Sequence, residues 1–362
     1  MARLVFRIAA GLAALICAVL LTTVARLAWP PSTPAFRGPD GAPLPQSVAT
    51  MERLNVNGAP QSVTIRGRDR RNPILIWIHG GPGSSETTAL RHYDAGLEDH
   101  FVVVYWDQRY AGQNYNPGAP KPATLTIQQY VDDLNVVVDR VLTRFHDRKV
   151  VLVGHSWGTV PGVLYAQQYP EKVAAYVGVG QVADVPKSEK RSYAWAVAEA
   201  RARHDKRGEA QLAALGPPPR SGQPIFTPRD LMMTYGGSFH RQMGYDDLIL
   251  AGLRHSEANW RDFLAFQGSG AFSNQLTQGE FSRFIIDDRP QVFATPIFLL
   301  SGRYDHQSEA SVAHDFYDQV RAPRKAFVWF EQSAHNPPFE EPAALQNWIV
   351  QNVRPLAMAG AN

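Results

Sequence analysis

Cysteine is nearly missing from this chain. Cys17 is the single one, and it lies in an apolar N-terminal segment. The rest of the polypeptide therefore has neither a disulfide framework nor a cysteine-held metal, and nothing in it conflicts with an oxidising compartment. An excess of one charge is missing too: 36 basic against 33 acidic residues leave a net charge of +3. No long basic stripe with interleaved aromatics occurs, which argues against a nucleic-acid partner. The basic cluster "RGRDRR", Arg66 to Arg71, is expected to be a solvated strand end or turn. No internal repeat is visible. What remains is a 362-residue chain, 44% hydrophobic, long enough for one large core or two modest ones.

A long uncharged run is confined to the N-terminus. Arg3 and Arg7 precede Ile8 to Ala25, which carries no charge; Arg26 and a Pro-rich stretch follow. This pattern predicts a membrane-anchoring helix with the rest of the chain exported. The alternative is a signal cleaved near the small residues Thr23 and Ala25, giving a secreted or periplasmic protein. Ile16 before Cys17 is too large for a lipoprotein site. The expected organisation is a signal or anchor over residues 1–30, with Trp29 at the membrane interface, and a stiff, poorly ordered tether over 31–49.

The body reads as strands alternating with helices. "PILIWIHG" (Pro73 to Gly80), "FVVVYWDQ" (Phe101 to Gln108), "KVVLVG", "VAAYVGVG" (Val173 to Gly180), "TPIFLLSG" (Thr295 to Gly302) and "AFVWFE" (Ala326 to Glu331) are short apolar runs. Such runs suit strands covered on both faces. From Thr126 to Phe145 the apolar residues follow helical spacing. Pro342 suits a first helical turn, with Leu345, Trp348, Ile349 and Val353 on one face. The alternation predicts a mostly parallel sheet with helices on both sides. Its ligands belong at the carboxyl ends of the strands. The rhythm fails between about residues 183 and 290, which are expected to form a helical cap inserted into a core of residues 50–182 and 291–355.

Chemistry concentrates in a few motifs. In "GHSWG" Ser156 stands between Gly154 and Gly158 where a strand turns into a helix. That turn leaves the hydroxyl exposed above the sheet, with the glycines removing side chains that would collide. "HGGPG", His79 to Gly83, follows another strand, so that the N–H of Gly81 and that of Trp157 make candidate oxyanion donors. Asp305 follows "PIFLLSG", and His335 follows "AFVWF". Of the 11 histidines, His335 is the one that comes last in the order Ser, Asp, His that such a fold uses.

Together "HGGPG", "DQR" (Asp107 to Arg109), "GHSWG", "GRYD" and "SAHNPPFEEP" resemble the proline iminopeptidase branch of the α/β-hydrolases, serine peptidase family S33. The resemblance covers the sheet domain and is weak across the cap. It implies an α/β-hydrolase fold with Ser156 as nucleophile, Asp305 as acid, His335 as base, and Gly81 and Trp157 as oxyanion donors. It also implies an aminopeptidase that releases an N-terminal proline or similar small residue from short peptides, without metal or organic cofactor. Cap carboxylates hold the substrate's amino group in that family, and Glu199, Glu257 and Asp262 are the possible counterparts. The sequence departs from the family at His155 and Tyr110, where glycine is common. Those departures and the divergent cap keep open an esterase or amidase acting on a small acyl compound. A binding protein on a hydrolase scaffold is a third reading, which the complete Ser-Asp-His set opposes.

Overall fold

A computed structural model describes residues 2–118, 125–219, 226–241, 243–286 and 289–359. The chain opens with α1 (Ala2–Ala28) and a hairpin of β1 (Val48–Val56) and β2 (Ala59–Gly67). β3 (Ile74–Ile78), α2 (Thr87–Tyr93), β4 (Val102–Trp106), α3 (Ile127–Phe145), β5 (Val150–His155), α4 (Thr159–Gln168) and β6 (Val173–Val179) follow. The chain then leaves the sheet for α5 (Val185–Ala202), α6 (Lys206–Leu215), α7 (Arg229–Tyr235), α8 (Tyr245–Gly252) and α9 (Trp260–Phe281). It returns through β7 (Ile297–Gly302), α10 (Ala310–Gln319) and β8 (Lys325–Phe330) to α11 (Pro337–Glu340), α12 (Pro342–Asn352) and α13 (Arg354–Ala359).

The strands form one 8-stranded sheet in the order β1-β2-β4-β3-β5-β6-β7-β8. β1 and β2 are antiparallel; from β4 to β8 all neighbours are parallel. β3 to β7 are buried along their whole length, because helices cover both faces. Ile76, Ile78, Val104 and Leu152 pack toward α3 and α4, while Leu75, Trp77, Val103 and Val153 pack toward α2 and α12. Each such side chain, fully withdrawn from water, stabilises the fold by about 1.5–3 kcal/mol. The hairpin escaped the periodicity argument. Its turn is Asn57-Gly58, both at positive φ (47° and 79°), the backbone that a two-residue hairpin loop requires.

Two expectations for the N-terminal third are corrected. Arg68, Arg70 and Arg71 lie in the expected exposed turn, but Arg66 is not a solvated strand end: it is buried in β2, with Nε 2.9 Å from Glu98. Glu98 also pairs with Arg91 (2.7 Å), and Arg91 with Glu257 (2.9 Å). Nor is the Pro-rich stretch a loose tether, because this buried ionic cluster binds it. Thr33 donates to Glu257 (2.7 Å), the Pro34 carbonyl accepts from Arg66 (2.7 Å), and Phe36 lies under the Arg66 guanidinium. Ser32 and Ser256 bond each other through backbone and hydroxyl (2.8 Å each). Buried charges are stable only when paired, and these pairs draw the strap onto the body. Among the described residues no helix is long and apolar enough to cross a membrane, so the expected spanning helix is not supported. The large apolar side chains described on α1 are 54% to 71% exposed.

Candidate active site

β5 ends at His155, and Ser156 adopts φ 53° before the helical turn that leads into α4. A non-glycine residue held there costs about 1–3 kcal/mol, so its surroundings must fix it. A Cβ on Gly154 would sit 2.6 Å from the Gly158 carbonyl oxygen, and one on Gly158 would collide with the Ile78 carbonyl oxygen. The flanking glycines are there because backbone passes through the space a side chain would fill. Thr159 Oγ1 donates to the Ser156 carbonyl (2.6 Å) and accepts from Val182 N–H (3.0 Å), which ties the turn to the end of β6.

Three residues far apart in sequence meet at this rim. His335 Nε2 lies 2.8 Å from Ser156 Oγ, and its Nδ1 lies 2.9 Å from Asp305 Oδ2. A carboxylate only accepts, so Nδ1 carries the proton and Nε2 is free to accept from the serine hydroxyl. Asp305 Oδ1 accepts from the N–H groups of Gln307 and Ser308, 2.9 Å each. Burial alone would push the Asp305 pKa up; the His335 ring and these donors outweigh it and hold the carboxyl below its ordinary value. A hydroxyl, an imidazole and a buried carboxylate in this row can generate a nucleophile at neutral pH.

The loop after β3 closes the other side. His79 Nε2 accepts from Gln108 N–H (3.0 Å), so its Nδ1–H donates to the Gly80 carbonyl (2.8 Å). Burial keeps this ring neutral by lowering its pKa. Gln108 further donates to the His79 carbonyl (2.7 Å) and accepts from Trp157 Nε1 (3.0 Å). The indole thus points into the core, and the Trp157 backbone stays beside Ser156. Gly81, at φ 116°, lines the same cleft as Ser156. Within "DQR", Asp107 accepts from Ser85 (2.5 Å) and from Gln113 N–H (3.1 Å), and Arg109 pairs with Asp133 (2.8 Å). Tyr110 takes φ 61°, a backbone that favours glycine, and turns its ring edge to Phe272 of α9.

His155 faces an acceptor at each ring nitrogen: Glu86 Oε1 at 2.7 Å from Nδ1 and the His335 carbonyl at 3.2 Å from Nε2. Two acceptors favour the doubly protonated ring, an imidazolium. Glu86 also accepts from Trp77 Nε1 (2.9 Å) and Gly80 N–H (3.0 Å), and is its carboxylate partner. Burial opposes both charges; the mutual attraction wins, raising the His155 pKa and lowering that of Glu86.

The cleft around Ser156 has a volume of about 330 Å³ and is roofed by α8 and α9 through Leu248, Ile249, Phe263 and Asn274. None of the three cap carboxylates nominated from sequence reaches it. Glu199 pairs with Arg203 on the outside of α5 (2.9 Å). Glu257 is held by Arg91, and Asp262 caps α9 by accepting from Asn259 N–H (2.8 Å). Among the described residues, the charged cap residues that do border the space at Ser156 are Glu189 and Arg229. Among the described residues no group of three or more His, Cys, Asp or Glu is arranged to hold a metal ion.

The model of the alpha/beta hydrolase fold family matches residues 73–342, and all three members of the Ser-His-Asp row lie in that span. The chain belongs to the α/β hydrolase fold family. A probable aminopeptidase of Bacillus subtilis, YbaC, is 29% identical over 86% of this chain and 98% of its own length. A probable proline iminopeptidase of Streptomyces coelicolor is 32% identical over 32% of this chain and 34% of its own. The crystal structure of a proline iminopeptidase from Mycobacterium smegmatis superposes with a TM-score of 0.62. It covers 86% of this chain and 99% of that one at 16% identity. Family and relatives together support a hydrolase.

Several residues of this α/β hydrolase's site were not nominated from sequence. Glu86 lies in "SSET", which carries no pattern, and its partner His155 showed only as a departure from glycine. Glu189 and Arg229 lie in the cap, where helical spacing is weak and side chains meet only through the tertiary fold.

Proposed function

We propose that this protein is a serine hydrolase that cleaves amide bonds, an aminopeptidase releasing a small N-terminal residue such as proline from short peptides. The observation that carries the reading is the row Ser156–His335–Asp305 at 2.8 and 2.9 Å. The peptidase names of the relatives support the substrate class. Ser156 Oγ attacks the scissile carbonyl while His335 Nε2 takes its proton. The imidazolium so formed is offset by Asp305. The tetrahedral oxyanion is met by the N–H groups of Gly81 and Trp157, each worth roughly 3–4 kcal/mol to the transition state. The C–N bond then breaks, the leaving amine takes the proton from His335, and water hydrolyses the acyl-serine by the same steps in reverse. A substrate ammonium needs a carboxylate, and Glu189, which borders the space at Ser156, is the cap acid that fits.

A second reading, an esterase or amidase for a small acyl compound, is favoured by the absence of Glu199, Glu257 and Asp262 from the cleft. Proline and alanine p-nitroanilides compared with short-chain p-nitrophenyl esters separate the two. Turnover of esters with none of aminoacyl amides eliminates the aminopeptidase. A fluorophosphonate probe is expected to label the wild type and not Ser156→Ala; failure to label the wild type refutes both readings.

We propose further that the N-terminal segment exports the body and associates with a membrane. The charge order Arg3, Arg7, then an uncharged run, and the exposed apolar side chains of α1, support this. Membranes washed at low salt are expected to retain the protein and detergent to release it. A soluble product beginning near Ala25 selects the cleaved signal instead.

A further inference from the structure

Beside Ser156 the cap sets two opposite charges together. Arg229 Nη2 lies 3.6 Å from Glu189 Oε1, and both residues border the same space as the serine. The pair is loose. Glu189 is buried and well held: its Oε2 accepts from the N–H (2.8 Å) and hydroxyl (3.1 Å) of Thr227. Arg229 is held far less. Its polar contacts among the described residues are this ion pair and a bond of 3.5 Å from Nη1 to the Gln307 carbonyl, with the Phe226 ring 5.3 Å away. A guanidinium has five N–H donors, and good bonds from them run near 2.9 Å. The Arg229 side chain borders the cleft and is 38% exposed, and most of its donors have no close partner among the described residues. A further unmet group adjoins it: Asn274 Oδ1 is buried without a hydrogen-bond partner, and Asn274 borders both parts of the cleft with Arg229.

This arrangement selects by charge. A ligand carrying only an ammonium meets Glu189 but also the like charge of Arg229. A ligand carrying only a carboxylate meets the reverse. A zwitterion lets each protein charge exchange its distant partner for a close one, and none is left unpaired. We propose that the substrate is a short peptide with both termini free, and that Arg229 binds its C-terminal carboxylate. This rests on the aminopeptidase reading above and narrows it. A planar guanidinium suits a carboxylate through paired N–H bonds. The part of the cleft bordered by Ser156, Arg229 and Asn274 has about 330 Å³ and the adjoining part that Glu189 borders about 170 Å³, which suits a peptide of about two or three residues. The chemistry is unchanged: the amine that leaves with the His335 proton is the amino acid or dipeptide whose carboxylate stays on Arg229 until release.

The test compares kcat/KM for Pro-Gly and Ala-Gly with that for their C-terminal amides, in the wild type, Arg229→Gln and Arg229→Lys. The wild type is expected to prefer the free acids by about 10- to 100-fold, the range for a hydrogen bond to a charged group. The preference falls to about 1 in Arg229→Gln, carried by KM, and Arg229→Lys keeps part of it. Equal turnover of acid and amide by the wild type overturns the proposal while leaving the aminopeptidase intact. So does a loss in Arg229→Gln that is the same for both substrates. If neither peptide is cleaved but p-nitrophenyl esters are, the aminopeptidase reading fails and the Arg229 assignment falls with it. Fluorophosphonate labelling of each variant verifies that its serine site is assembled.

Discussion

Replacing Glu86 by glutamine keeps its shape and removes its charge, leaving the buried His155 imidazolium without a counter-ion. At the 2.7 Å separation, the attraction is about 6 kcal/mol for an effective dielectric near 20. Desolvation of both groups offsets part of that. Breaking one side of a buried pair typically costs about 3–5 kcal/mol, because the other charge stays behind. For 362 residues, an unfolding entropy of roughly 2.1 cal/mol/K per residue turns that loss into a Tm decrease of about 4–7 °C. The pH dependence has a definite sign. The folded pKa of Glu86 lies below its ordinary 4.5, so its contribution is present above pH 4.5 and is lost as pH falls through the lowered value. That of His155 lies above its ordinary 6.5, so its contribution is present below pH 6.5 and is lost as pH rises through the raised value. Between pH 4.5 and 6.5 the gap in Tm between wild type and Glu86→Gln is therefore widest. It narrows as pH rises through the raised pKa of His155, leaving the part that Glu86 contributes through Trp77 and Gly80. Scanning fluorimetry of the two proteins from pH 4 to pH 9 measures it. A gap that stays constant over that range, or a glutamine variant as stable as the wild type, refutes the ion pair. The double variant Glu86→Gln with His155→Gln is expected to recover part of the loss, since no buried charge then remains unpaired.

The remaining expectations are briefer. Asp305→Asn leaves the geometry in place but lets the side-chain amide face Nδ1, so the His335 tautomer is wrong; kcat on any accepted substrate falls by about 10⁴-fold. Gly158→Ala forces a Cβ against the Ile78 carbonyl oxygen. It is expected to lose about 3 kcal/mol of stability together with fluorophosphonate labelling, read by thermal melting and gel fluorescence. Glu257→Gln uncouples Arg91 and Thr33 (2.9 and 2.7 Å) and frees the strap over residues 31–37; limited proteolysis is expected to cut there in the variant and not in the wild type.

Continuous apolar runs determined β3, β4, β5, β6 and β7 from sequence alone, because a strand covered on both faces needs apolar residues at every position. The helix α3 was equally legible, with Thr126 capping it by accepting from Gln129 N–H. The members of the Ser-His-Asp row were legible for a different reason. Each follows a strand of a sheet whose topology brings those strand ends to one rim, so chain order and motif sufficed to nominate Ser156, Asp305 and His335. Tertiary structure alone decided the rest. Arg66 reads as a surface charge until Glu98 and Arg91 are seen around it, and the Pro-rich strap reads as a tether until that cluster binds it. Glu199, Glu257 and Asp262 are carboxylates like Glu189, and a one-dimensional pattern does not rank them. Only the packing of the cap shows which acid borders Ser156, because the cap's short amphipathic helices specify that they pack but not which side chains face the cleft.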